Sequence, residues 1–184
     1  LIDKYLIPQE VEKKKNAEIS TPYKLREEML DTIPEEFWKK KQTVFEPCCG
    51  KGGFVVSIYN RFKKAGLTDK IILEECIYFS DINKINIFIT KSLLDPDDKY
   101  NLNYNQGDTL ELDINDKWNL NGFDAVIGNP PYQATTSAGI VKGGGNNLYT
   151  KFIYYADKVL VKNGYILYIT PPTFFSPGRS CNKN

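Results

Sequence analysis

The 184-residue sequence contains no histidine. That removes the side chain that most often serves as a general base near neutral pH and most often binds metal, and it excludes a Ser-His-Asp hydrolase outright. Cysteine is scarce: Cys48, Cys49, Cys76 and Cys181 include one adjacent pair and no C-x-x-C. Neither a zinc site nor a disulfide scaffold is expected from that spacing, and a reducing compartment fits it. No apolar run approaches the ~18 residues of a membrane span, and the early residues are charged, without the apolar segment of a signal peptide. A cytoplasmic protein with no metal and no membrane contact is the expectation. Charge of one sign is not in excess either: 24 Lys and Arg face 23 Asp and Glu, leaving +1. Any affinity for nucleic acid must therefore come from a local patch. The dinucleotide fingerprint G-x-G-x-x-G and the G-K-[ST] phosphate loop are both missing, which disfavours a nucleotide-dependent oxidoreductase.

What is present suffices for one packed domain. Hydrophobic residues make up 41% and charged residues 26%, a globular rather than a disordered balance. Residues 1–20 read as a charge-rich extension. Thr21-Pro22 reads as a helix start, with Thr as N-cap and Pro at the first helical position. Leu25, Met29, Ile33 and Phe37 follow at helical spacing until Pro34 breaks the run. Strands are expected over 43–46, 76–79, 104–106, 123–128 and 165–170. Helices are expected over 54–65, 83–94 and 148–161, the second with Ile85, Phe88, Ile89 and Leu93 as its apolar residues and the third with Phe152, Ile153, Ala156, Val159 and Leu160 inward. Strands alternating with helices argue for an α/β fold with a mainly parallel sheet. Ligands of such sheets bind beyond the carboxyl ends of the strands. The glycine turn at Gly50, Asp81, Asp108 and Asn129 all fall at such ends, and the Gly-rich loop over 133–147 is expected beside them.

Asn129-Pro130-Pro131-Tyr132 is the most informative stretch. It follows the buried-looking strand 123–128. The prolines fix two φ angles and remove two N–H donors, leaving a stiff cluster of acceptors, the Asn129 amide oxygen and backbone carbonyls, beside the flat face of Tyr132. Such a cluster suits the two hydrogens of a planar –NH₂ group; a plain proline turn is the alternative. Glu46-Pro47-Cys48-Cys49-Gly50-Lys51-Gly52-Gly53-Phe54 places glycines between a strand and a helix. That arrangement admits a ligand close to the backbone near a helix N-terminus, or serves only strand–helix packing. Asp81 suits ribose hydroxyls or an N-cap. Asp108 suits an adenine amine or is an ordinary turn aspartate.

Together these stretches resemble the adenine-N6 DNA methyltransferases that use S-adenosylmethionine, over roughly residues 20–175. Pro47-Cys48-Cys49-Gly50-Lys51-Gly52-Gly53-Phe54 is similar to that family's cofactor loop, Asn129-Pro130-Pro131-Tyr132 to its catalytic motif, and Thr21-Pro22 to its upstream cofactor motif, in the family's γ-type order. The resemblance implies a Rossmann-like class I methyltransferase fold with helices on both faces, a catalytic domain over 21–184 after the 1–20 extension, and S-adenosylmethionine as cofactor. It implies that Thr21, Glu46, Pro47, Cys49, Gly50, Gly52, Phe54, Asp81, Ile82, Asp108, Thr109 and Asn129 hold the cofactor. It assigns catalysis to Asn129, Pro130, Pro131 and Tyr132, acting on an adenine extruded from DNA. Phe174 or Phe175 would wall the base pocket or pack in the core. The family continues into two more strands and a target-recognition domain, so the sequence reads as lacking its final strands, with recognition supplied by a missing C-terminal domain or a separate subunit. Methylation of a protein glutamine amide or an RNA base, and a truncated module that binds cofactor without turnover, are the alternative readings.

Overall fold

All three residues of Val44–Glu46 and all five of Ile77–Asp81 are buried, and four consecutive residues from Ala125 to Gly128 are buried as well. Strands without a solvent face belong in the middle of a sheet covered on both sides. In the computed structural model, which describes residues 20–132, 135–136, 139–140 and 148–172, they lie there. The strands β1 (Val44–Glu46), β2 (Ile77–Asp81), β3 (Asn103–Gln106), β4 (Phe123–Gly128) and β7 (Leu160–Tyr168) form one sheet in the order β3-β2-β1-β4-β7. Every pairing in it is parallel. A separate antiparallel pair joins β5 (Thr135–Thr136) to β6 (Gly139–Ile140).

The period-two alternation of strand side chains divides the core in two. Val44, Ile77, Phe79, Ala125 and Ile127 face one layer, built from α1 (Tyr23–Leu30), α2 (Glu35–Trp38), α3 (Gly53–Lys64), α4 (Asp69–Ile71) and α5 (Lys84–Leu94). Phe45, Tyr78 and Val126 face the other, built from α6 (Ile114–Trp118) and α7 (Leu148–Val159). Phe45 and Phe123 stack with ring centroids 4.8 Å apart, and Trp118 meets Phe45 edge-on at 5.7 Å. The α/β fold with a parallel sheet and helices on both faces is thus as the sequence predicts.

Several local expectations are corrected. Thr21 is not the N-cap of α1: Pro22 holds that position, with ψ of 143° and no side-chain cap, and the Thr21 hydroxyl is used elsewhere. The apolar spacing marks the inner face of α1 only in part: Met29 packs against the core. Arg26 and Leu30 are buried, while Leu25 is 40% exposed. In α5 the inner face carries Asn86, Ile87 and Thr90, whereas Ile85 and Phe88 are 55% and 71% exposed. Hydrogen bonds from this helix to the glycine loop, described below, override its apolar stripe. Cys76 closes a π-helical turn (Ile72–Cys76) that continues α4, so β2 starts one residue later and runs on to Asp81. The last helix ends at Val159 because Leu160 already pairs with Phe123. The chain then bulges through Asn163, with φ of +66°, before Tyr165 pairs with Ala125. A Cβ on Gly164 would lie 2.9 Å from the Asp124 carbonyl oxygen, so this crossing requires glycine. Residues 1–19, most of the 133–147 loop, and Phe174 and Phe175 lie outside the described residues.

Phe123 is fully buried at the junction of β4, β7 and α6. Phe123→Ala is expected to lower unfolding free energy by about 3–5 kcal/mol, read from urea denaturation; a loss below about 1 kcal/mol would contradict this packing.

Candidate cofactor and amine site

The loop after β1 turns through two left-handed glycines, Gly50 (φ +51°) and Gly52 (φ +82°). Gly52 N donates to the Cys49 carbonyl at 2.9 Å and Gly52 caps α3. A Cβ at Gly52 would stand 2.8 Å from Thr90 Oγ1. That closeness is functional in the fold: Thr90 Oγ1 donates to the Gly50 carbonyl at 3.3 Å and sits 3.7 Å from Cys49 Sγ. Cys49 itself is buried, and that burial raises its thiol pKa well above the ordinary value. Phe54 packs in the core beneath the loop.

The Asp81 carboxylate joins two strand ends. Its Oδ2 accepts from Gly50 N and its Oδ1 from Asn83 N, both at 2.8 Å. Asn83, not Asp81, caps α5, accepting from Ile85 N at 3.0 Å. Burial raises the Asp81 pKa, against the pull of these N–H donors and of the Asn86 amide. Next to it Ile82 is 76% exposed, a large apolar side chain left in solvent just after β2. Below Asp81 runs a chain of bonds: Asn105 Nδ2 to Ser80 Oγ (3.1 Å), Ser80 Oγ to Thr109 Oγ1 (2.7 Å), and Thr109 Oγ1 to the Pro47 carbonyl (2.6 Å). Since Thr109 donates to Pro47, Ser80 must donate to Thr109. Thr109 thereby holds the loop from below, while Asp108 is exposed and caps the 3₁₀ turn Thr109–Glu111 through Leu110 N at 2.9 Å.

Glu46, at the end of β1, is 3% exposed. It accepts from the Val55 N–H in the first turn of α3, yet its Oε2 is buried without a partner. Burial pushes its pKa well above the carboxylate range, and the Arg26 guanidinium opposes that shift. Asn129, at the end of β4, donates from Nδ2 to Thr21 Oγ1 at 3.3 Å. This bond joins two motifs 108 residues apart, with the Nδ2 end of the amide towards Thr21. Tyr132 is half-buried, with its ring edge-on to Tyr149 at 6.3 Å.

The carboxyl ends of β1, β2 and β4 thus bring together the Gly50–Gly52 loop, Glu46, Asp81, Thr21 and Asn129. Sequence reasoning missed Arg26, Asn86 and Thr90. The spacing of Arg26 to Leu30, one helical turn, was the available signal for the first. Among the described residues no cluster of His, Cys, Asp and Glu could hold a metal ion, and no helix is long and apolar enough to cross a membrane.

Residues 75–184 match the family model described as Eco57I restriction-modification methylase, more than half of the chain. The chain belongs to this family. The Eco57I-family chain has no match among curated protein sequences. Solved structures share its fold at low identity. One is a putative class I S-adenosylmethionine-dependent methyltransferase from Listeria monocytogenes: TM-score 0.68, 15% identity, covering 96% of this chain and 54% of that one. The M protein of the type I restriction enzyme EcoKI follows, with TM-score 0.61, 19% identity, and 86% and 35% of the two chains. The modification subunit of a putative type I restriction enzyme from Vibrio vulnificus YJ016 gives 0.56, 16%, 77% and 30%. These establish the class I methyltransferase fold. The chain spans about a third to a half of the length of these structures.

The raised pKa of Glu46 has a thermodynamic sign. Below the ordinary carboxylate value of 4.5 the folded and unfolded chains both hold the proton. Above it the unfolded chain releases its proton first, so stability falls with rising pH until Glu46 ionises in the folded chain. Glu46→Gln is expected to make the slope of unfolding free energy against pH, between pH 5 and 8, less negative than in the wild type. Chemical denaturation at several pH values checks this; parallel slopes would refute it.

Proposed function

We propose that this chain is a catalytic domain, over 21–184, that transfers a methyl group from S-adenosylmethionine to the N6 amine of adenine in DNA. The observation that carries the reading is the Asn129 amide, anchored through Nδ2 to Thr21 at the open end of the sheet, beside the glycine loop. The family description, restriction-modification methylase, supports DNA as the substrate. The similar solved chains that are modification subunits of type I restriction enzymes support a partner subunit or further domain for target recognition.

The residues fit the cofactor. The orphaned Glu46 Oε2 is an acceptor suited to the ammonium of its methionine part, with Thr21 nearby. Gly52 permits close approach over the loop, Asp81 offers a carboxylate to ribose hydroxyls, and the exposed Ile82 covers an adenine ring. Pro47, Cys49, Gly50, Phe54 and Thr109 shape and support that cradle, and Asp108 at the next strand end faces solvent near the adenine. When bound, S-adenosylmethionine supplies an electrophilic methyl group on a sulfonium.

The chain's own residues do the rest. The exocyclic nitrogen of adenine is a poor nucleophile because its lone pair is delocalised into the ring. The base must leave the duplex, at a cost of a few kcal/mol, and stacking on Tyr132 returns about 1–3 kcal/mol. Asn129 Oδ1 and the Pro130 carbonyl accept the two amine hydrogens, which draws the nitrogen towards tetrahedral geometry and frees its lone pair. Pro130 and Pro131 hold these acceptors in place before the base arrives, so little reorganisation is left for the reaction itself. The nitrogen's proton becomes acidic only once the nitrogen has reacted, so the absence of histidine is no obstacle.

Asn129→Ala is expected to lower methyl transfer from tritiated cofactor to DNA by about 100-fold or more. Sinefungin affinity, measured by calorimetry, should change by less than about threefold, well under 1.4 kcal/mol. Equal loss of both would remove Asn129 from its role, and transfer to RNA or to a protein amide in preference to DNA would overturn the substrate assignment.

A further inference from the structure

A buried cation connects the segments of the site. Arg26 is 4% exposed. Side chains of a helix lean towards its N-terminus, so Arg26, one turn into α1, reaches back over the start of its own helix. It donates from one terminal nitrogen to the Thr21 carbonyl at 2.5 Å and from Nε to Ser57 Oγ on α3 at 3.3 Å. Its guanidinium stands 3.1 Å from where a Cβ on Gly53 would lie, and the Tyr23 ring covers it at 5.6 Å. Glu46 is within its field. An apolar side chain would pack this helix against α3 at less desolvation cost, so the charge here calls for a use beyond packing.

That use lies in the Asn129 amide. An asparagine side chain presents either an acceptor or two donors, according to a rotation of its last bond. An amine substrate requires the acceptor, and in the structure Nδ2 engages Thr21 Oγ1, which turns Oδ1 to the other side. Thr21 precedes Pro22 and lies outside the helical ladder, so its hydroxyl points at Asn129 only while its backbone is held. We propose that Arg26 is a positioning residue for the reaction: by clamping the Thr21 carbonyl between α1 and α3, it keeps the Thr21 hydroxyl where it orients the Asn129 amide. The inference rests on the reading of Asn129 as the amine acceptor.

The test uses the full ¹⁵N-labelled chain. The side-chain amide resonances of Asn129 are assigned by their loss in Asn129→Ala. Thr21→Val, Arg26→Met and Arg26→Lys are then compared by the same spectrum, whose backbone dispersion reports folding. Thr21→Val and Arg26→Met are expected to move the Asn129 pair towards the positions of solvent-exposed asparagines. Arg26→Lys should move it in the same direction but less, because one ammonium cannot serve both Thr21 and Ser57. Sinefungin affinity of Arg26→Met should change by less than about threefold, as in Asn129→Ala, while methyl transfer to DNA falls roughly tenfold or more, the scale of a lost hydrogen bond from a charged group. A purely structural role would lower stability and leave the Asn129 pair unmoved. That outcome in folded Arg26 variants, or in Arg26→Lys alone if Arg26→Met does not fold, overturns the inference while wild-type sinefungin binding still supports the function. Failure of the wild type to bind sinefungin overturns the function itself, and with it the reaction that Arg26 is proposed to serve.

Discussion

β1 pairs in parallel with β2 on one side and with β4 on the other, and the remaining features follow from that. From β1 the chain crosses through α3 to β2, and from β4 through α7 to β7, moving away from the centre in opposite directions. Crossovers of one hand then place α3 and α7 on opposite faces of the sheet, as the two core clusters record. Two connections diverging from adjacent strands leave a crevice between them at the carboxyl ends. The glycine loop enters it from β1 and Asn129 from β4. No residue-level feature of the site has meaning without this switch in direction, which is the general location of ligand sites in open parallel sheets.

The crevice is held in shape by polar groups rather than by apolar packing. Asp81, Ser80, Thr90 and Thr109 are each at most 8% exposed, and each bonds to the loop or to a neighbouring strand end. Buried polar groups are costly when unpaired and rigidifying when fully paired. Here the paired ones define a frame, and the unpaired Glu46 Oε2 and Asn86 Oδ1 stand out against it. A frame of this kind suits a reaction that relies on preorganised acceptors more than on a strong base.

The sequence made the fold legible because the central strands are short, apolar and separated by clear turn signals. The Asn129–Tyr132 stretch and the glycine loop were legible because their residue types constrain the backbone directly. Helix faces were harder. In α1 and α5 the inner face is chosen by Arg26, Asn86 and Thr90, whose partners lie 30 or more residues away or across a turn, so apolar spacing pointed to Leu25 and Phe88 instead. Thr21 was read as a cap because Thr-Pro is a helix-start signature. Its hydroxyl serves Asn129, a pairing across 108 residues that no local pattern encodes. The bulge at Asn163 was invisible for a related reason: it arises from the register of β7 on β4.

The central claim is that the crevice between β1 and β4 binds a sulfonium-bearing amino acid nucleoside with its reacting centre facing Asn129. A crystal structure of the chain with sinefungin tests it most directly. The account predicts the ligand's α-amino group at Glu46, its ribose at Asp81, and the amine that stands in for the methyl group directed at the Asn129 Oδ1. A ligand bound away from residue 129, or in the reverse orientation along the crevice, would contradict it.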